Sequence, residues 1–118
     1  MHSMGSKWKR SSQELIDHFH SSMDQFDDID RRKMFGYPCC FCNGNMFTGL
    51  HEENWLLRLS ADARQELIKQ HQAEPFQPFP NRVMKEYLIL PKAVLSCQKT
   101  LQRWITKSLE YVQTLPPK

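Results

Sequence analysis

The stretch Cys39-Cys40-Phe41-Cys42-Asn43-Gly44-Asn45-Met46-Phe47-Thr48-Gly49-Leu50 decides the fold class. Asn-Gly supplies the positive φ angles of a type I′ turn, so the residues on either side read as the two arms of a β-hairpin. His51-Glu52-Glu53-Asn54 makes a second turn into the strand Trp55 to Leu59, completing a three-stranded meander. Regular alternation across these turns places Phe41, Met46, Leu50, Trp55, Leu57 and Leu59 on the better core face. Cys40, Cys42, Phe47, Leu56 and Arg58 are expected on the other, amphipathic face, available to a helix or a partner.

Outside the meander the period changes. Ser11 and Glu14 have capping-box spacing, and Leu15, Ile16, Phe19, Met23 and Phe26 recur at helical intervals, predicting a helix near 12–25 that ends in Asp27-Asp28-Ile29-Asp30. Ser60 is expected to cap a second helix through about His71, with Leu67 and Ile68 as its apolar contacts. Glu74 to Pro80 is too proline-rich for a helix or a central strand and reads as an extended loop pinned by Phe76 and Phe79. Val83 to Leu90 reads as a fourth strand stopped by Pro91. Leu101, Trp104, Ile105, Leu109 and Val112 then define a long final helix from near Ser96 to Pro116-Pro117. This order predicts an α+β domain: an antiparallel sheet, a three-stranded meander plus a later strand, with helices packed on one side.

At 118 residues the chain has room for one domain and buries enough surface to need no staples. Residues 1–10 are expected to be a disordered start or a cloning remnant, and 11–118 the domain itself. The longest uncharged run, Met34 to His51, contains Pro38, Gly44 and Gly49 and so cannot span a membrane. With no leader-like start and three of four cysteines crowded into 39–42, reduced thiols and a cytoplasmic location are expected. The net charge of +3 is mild but segregated. Residues 11–30 hold six carboxylates and no base, Arg31-Arg32-Lys33 follow at once, and residues 76–118 are basic.

Five groups of side chains invite a chemical reading. Cys40 and Cys42 share a strand face and could supply half of a thiolate metal site, with His51 or Cys97 as further ligands; the plain alternative is that the cysteines are small core residues. His18 and His20 diverge on a helix and cannot converge on one ion, and Asp27, Asp28 and Asp30 lack the spacing of a calcium loop. Lys99, Arg103 and Lys107 recur every four residues opposite the Trp104/Ile105 stripe, with Arg82, Lys85 and Lys92 nearby. They could contact phosphates or be an ordinary solvated face. Arg31, Arg32 and Lys33 could join that patch or neutralise the acidic helix before them. No catalytic motif is present, so no catalytic residue is assigned and a non-enzymatic domain without cofactor is expected.

Arg31-Arg32-Lys33-Met34-Phe35-Gly36-Tyr37-Pro38, then Asn43 to His51, resemble the N-terminal domain of the TfoX/Sxy family. So do Arg58-Leu59, Pro75-Phe76, Met84 to Tyr87 and the closing Trp104 to Lys118, in the family's order and over nearly the whole chain from about residue 11. The resemblance implies an α+β domain with an antiparallel sheet and a link to competence regulators that act in transcription with a DNA-bound activator. Two departures stand out. The sequence stops at Lys118 without the second helical domain those regulators carry, and Tyr37-Pro38-Cys39-Cys40 replaces a glycine-rich stretch. Met34, Phe35, Met46, Phe47 and Trp104 in the shared motifs read as packing residues.

The expected function is a regulatory or adaptor domain. It would contact a protein partner or DNA through Arg31, Arg32, Lys33, Lys99, Arg103 and Lys107. The alternatives are a module that self-associates as a homodimer through an uncovered sheet face or strand edge near Cys40, Cys42 and Phe47, or a thiol- or metal-dependent site at Cys39, Cys40 and Cys42.

Overall fold

The structure, a computed structural model, describes residues 8–118. Helix α1 spans Gln13–Met23, and four strands follow: β1 Asp30–Met34, β2 Tyr37–Cys42, β3 Asn45–His51 and β4 Asn54–Arg58. Helix α2 (Ala61–His71) leads to β5 Glu74–Phe79 and β6 Arg82–Ile89, and the chain closes with α3 (Lys92–Leu95) and α4 (Gln98–Gln113). All pairings are antiparallel and the sheet order is β1-β2-β3-β4-β6-β5. The fold is α+β, as expected, with six strands where four were read.

Both additional strands lie at the sheet edges. β1, Asp30-Arg31-Arg32-Lys33-Met34, is exposed along its whole length and carries no apolar alternation. Its hairpin to β2 turns at Phe35 and Gly36, both with left-handed φ (54° and 84°). β5 contains Pro75 and Pro78 and pairs only with β6, the place where a strand tolerates missing N–H donors.

The Asn43-Gly44 turn forms as read, with φ of 53° and 78°, and a Cβ at Gly44 would collide with the Lys118 carbonyl oxygen. The faces of this hairpin differ from expectation because β3 carries a bulge. Cys40 pairs with Thr48 but Phe41 pairs with Met46, leaving Phe47 as an extra residue. A one-residue slip exchanges faces. Cys40, Cys42 and Phe47 therefore join Leu50, Trp55, Leu57 and Leu59 in the helix-covered core, while Met46 packs with Leu56, Phe76 and Tyr87 on the open face. The self-association surface placed at Cys40, Cys42 and Phe47 is thereby corrected, since all three side chains lie inside the domain.

The helices share that core: Phe19 and Met23 from α1, Leu67 from α2, Val94 from α3, and Leu101, Trp104, Ile105 and Val112 from α4. Helix α4 lies across β2, β3 and β4. Its Ser108 Oγ sits 3.0 Å from the Phe47 carbonyl that the bulge releases and 2.5 Å from that of Arg58. Ile68, expected as an apolar contact of α2, points to solvent. The N-cap of α1 is Ser12, whose Oγ accepts from the Leu15 N–H (3.2 Å); Ser11 instead donates to the Glu52 carbonyl (2.6 Å). Trp8 packs on the core, so the packed chain begins before residue 11, and residues 1–7 lie outside the described residues.

Candidate functional site

The six basic residues singled out from sequence fall in two places. On β1 they alternate across the edge strand. Arg31, opposite Cys40, turns to the helix side and pairs with Asp24 at 2.8 Å, closing the end of α1. Arg32, opposite Cys39, turns to the open face, where it pairs with Asp30 and lies 4.6 Å from the Phe41 ring centroid. Lys33 is exposed and forms no salt bridge among the described residues.

On α4 the spacing holds, but the three residues are not equivalent. Lys99 and Arg103 are exposed and unpaired among the described residues. Lys107 is drawn toward Trp104, 5.6 Å from its ring, and stands 3.9 Å from Glu66. β1 is the outermost strand while α4 covers β2 to β4, so the two groups occupy different parts of the surface.

The cysteines divide sharply. Cys40 is buried in the core, and desolvation pushes its thiol up to about 12, far from a usable thiolate. Cys39 is buried on the open-face side and shifts upward for the same reason. Cys97 is exposed at the N-cap of α4, where hydrogen bonding to Thr100 (3.2 Å), then backbone N–H groups and Arg103, lower its pKa. Among the described residues no three His, Cys, Asp or Glu side chains are placed to hold a metal ion. His18 donates from Nε2 to the Leu95 carbonyl (3.0 Å) and packs on Trp55, while His20 is exposed.

One polar group ties three elements together. Glu86 accepts from Arg58 Nε (2.7 Å) and from Tyr111 OH (2.8 Å), tying α4 to β4 and β6. Burial pushes the Glu86 carboxyl up, but these two hydrogen bonds outweigh it and hold the pKa below the ordinary carboxylate value.

Sequence reasoning missed a surface assembled at the end of the sheet from separated parts of the chain. Phe35, read as a packing residue, is 77% exposed at the tip of the β1–β2 hairpin, and Phe79 at the end of β5 is 49% exposed. Trp8 bridges them, with ring centroids 5.6 Å from Phe35 and 5.5 Å from Phe79. Behind Trp8 lies His51, 4.7 Å away, flanked by Tyr37 (5.3 Å) and Phe76 (5.1 Å); its ring nitrogens are buried with no hydrogen-bond partner among the described residues. Burial lowers the His51 pKa, with Glu52 opposing. The one local signal was that Phe35 precedes Gly36 at a two-residue turn, a position that points outward.

These features define a small α+β domain with a six-stranded antiparallel sheet and a long final helix. The sequence profile of the TfoX N-terminal domain matches residues 21–112, and the chain belongs to that family. No curated protein sequence is significantly similar to the chain.

Proposed function

We propose that this protein is a non-enzymatic, cytoplasmic regulatory domain of the competence-regulator kind, working by contact with DNA or a DNA-bound protein through the outward face of α4. The observation that carries the reading is the pair Lys99 and Arg103, one turn apart, exposed and free of salt bridges among the described residues. Membership of the TfoX N-terminal domain family supports the regulatory role. Lys107 contributes less, being partly committed to Trp104 and Glu66. Arg31 and Arg32 are likewise engaged with Asp24 and Asp30.

The test is a fluorescence-anisotropy titration of mixed-sequence duplex DNA at several salt concentrations. Phosphate contact gives binding in roughly the micromolar range that weakens steeply as salt rises. The K99E/R103E variant should bind more weakly, with a flatter salt dependence and an unchanged melting temperature, because both side chains are exposed. Absence of duplex binding at low salt would remove DNA and leave a protein partner to be sought with the same variant.

A further inference from the structure

We infer that the aromatic ridge of Trp8, Phe35 and Phe79, with the cations around it, is a binding site for single-stranded nucleic acid. It lies at the end of the sheet and uses none of the α4 residues, so it stands apart from the function proposed above.

The first observation is the ridge itself. Three large rings from three separated stretches of chain meet at 5.5–5.6 Å, two of them about half exposed or more. Phe35 gains little from the fold: its side chain is mostly in solvent and its φ of 54° is one that Asn or Gly adopts at less cost. On either side the surface is concave, with depressions of about 960 Å³ and about 340 Å³ that share these rings.

The second observation is the charge. Lys9, Arg10 and Lys33 line the larger depression and Arg82 the smaller; all four are exposed and none forms a salt bridge among the described residues. No carboxylate lines either depression. The nearby Glu52 and Glu53 are turned to other work, accepting from the backbone N–H of Lys9 (2.9 Å) and of Ser12 (2.6 Å).

Exposed rings interleaved with unpaired cations match a chain that alternates flat bases with phosphates. Each ring offers a base a stacking partner and each cation offers a phosphate a counter-charge, with no sequence readout required. A duplex keeps its bases in its own stack and cannot use the ridge. An uncharged proline-rich peptide could use the rings but leaves the four cations without purpose.

The experiment is an anisotropy titration of a labelled oligothymidylate of about 12 nucleotides with the full chain, beside a duplex of equal length, across a salt series. The single strand should bind more tightly than the duplex, with affinity falling as salt rises. Phe35→Ala should weaken single-strand binding by at least about fivefold. Phe35→Tyr should restore it, and the melting temperature should not move, since Phe35 is exposed. Lys33→Glu should flatten the salt dependence. Intrinsic fluorescence gives a second readout: Trp55 and Trp104 are buried, so quenching by the oligonucleotide reports Trp8. K99E/R103E should weaken the duplex and leave the single strand untouched, so the two sites succeed or fail separately. No single-strand binding at low salt, or binding that Phe35→Ala leaves unchanged, overturns the inference. So does capture of a proline-rich peptide by the ridge with no oligonucleotide binding.

Discussion

Cys40 and Cys97 show how far one residue type can be moved by its surroundings. Cys40 faces the helix layer among Phe47, Trp55 and Ile105, where a thiolate would have no solvation. Cys97 stands in water at a helix start, with Thr100, backbone N–H groups and Arg103 all favouring its charged form. Thiolate, not thiol, is the attacking species, so reactivity follows this split. In the native protein at about pH 8, a disulfide reagent such as DTNB should modify one thiol rapidly, and C97S should abolish that phase. The remaining thiols, Cys39, Cys40 and Cys42, should appear only on unfolding. Rapid modification of two or more thiols in folded C97S protein would show that the strand carrying them opens readily. In the sequence the three clustered cysteines drew attention as ligands; their burial depends on which face the strand presents, and no single residue declares that.

At the scale of elements, the Asn43-Gly44 turn was legible because its chemistry is local: both positions need positive φ, and these residue types supply it. The bulge was not. Phe47 occupies its extra place because the helix layer takes its ring and Ser108, 61 residues away in the chain, takes its carbonyl. β1 was missed because its only reward is pairing to β2, and Asp30-Arg31-Arg32-Lys33-Met34 shows no alternation to advertise it. β5 was read as a loop through its prolines, which here mark an edge strand. The weight of the bulge contact can be measured. Ser108→Ala removes the hydroxyl that the Phe47 and Arg58 carbonyls share and should cost about 1–3 kcal/mol. Denaturant unfolding should show this as a lower midpoint at unchanged slope, because the surface exposed on unfolding is the same. A loss under a few tenths of a kcal/mol would mean the two carbonyls find other partners.

Across the whole molecule, helices cover one face of the sheet and leave the other open, and the two candidate contact surfaces differ in how they could be found. The α4 stripe was visible as an interval of four residues on one helix. The aromatic ridge draws on residues 8–10, 33–35, 79 and 82, which only the completed sheet brings together. The same end of the molecule holds a consequence for stability. The segment before α1 is strapped there: Trp8 lies on His51, Tyr37 OH donates to the Lys9 carbonyl, and Ser11 and Ser12 bond to Glu52 and Glu53. Buried ring nitrogens without partners make protonated His51 unfavourable in the folded protein, so its pKa lies below that of a free histidine. Between the unfolded value of about 6.5 and the lower folded value, the unfolded chain binds the proton more readily. Stability contributed by neutral His51 is therefore present above about pH 6.5 and lost as pH falls through the folded pKa. Glu52, the charged neighbour that favours the protonated ring, reduces this loss without reversing it. Melting temperature should fall between about pH 7.5 and about pH 5.5, and H51Q should fall less over the same interval even if it starts lower. All other side chains are the same in both proteins, so the difference between the two slopes isolates His51. Equal slopes would mean that the ring is hydrated at this end of the sheet and that Trp8 does not seal it.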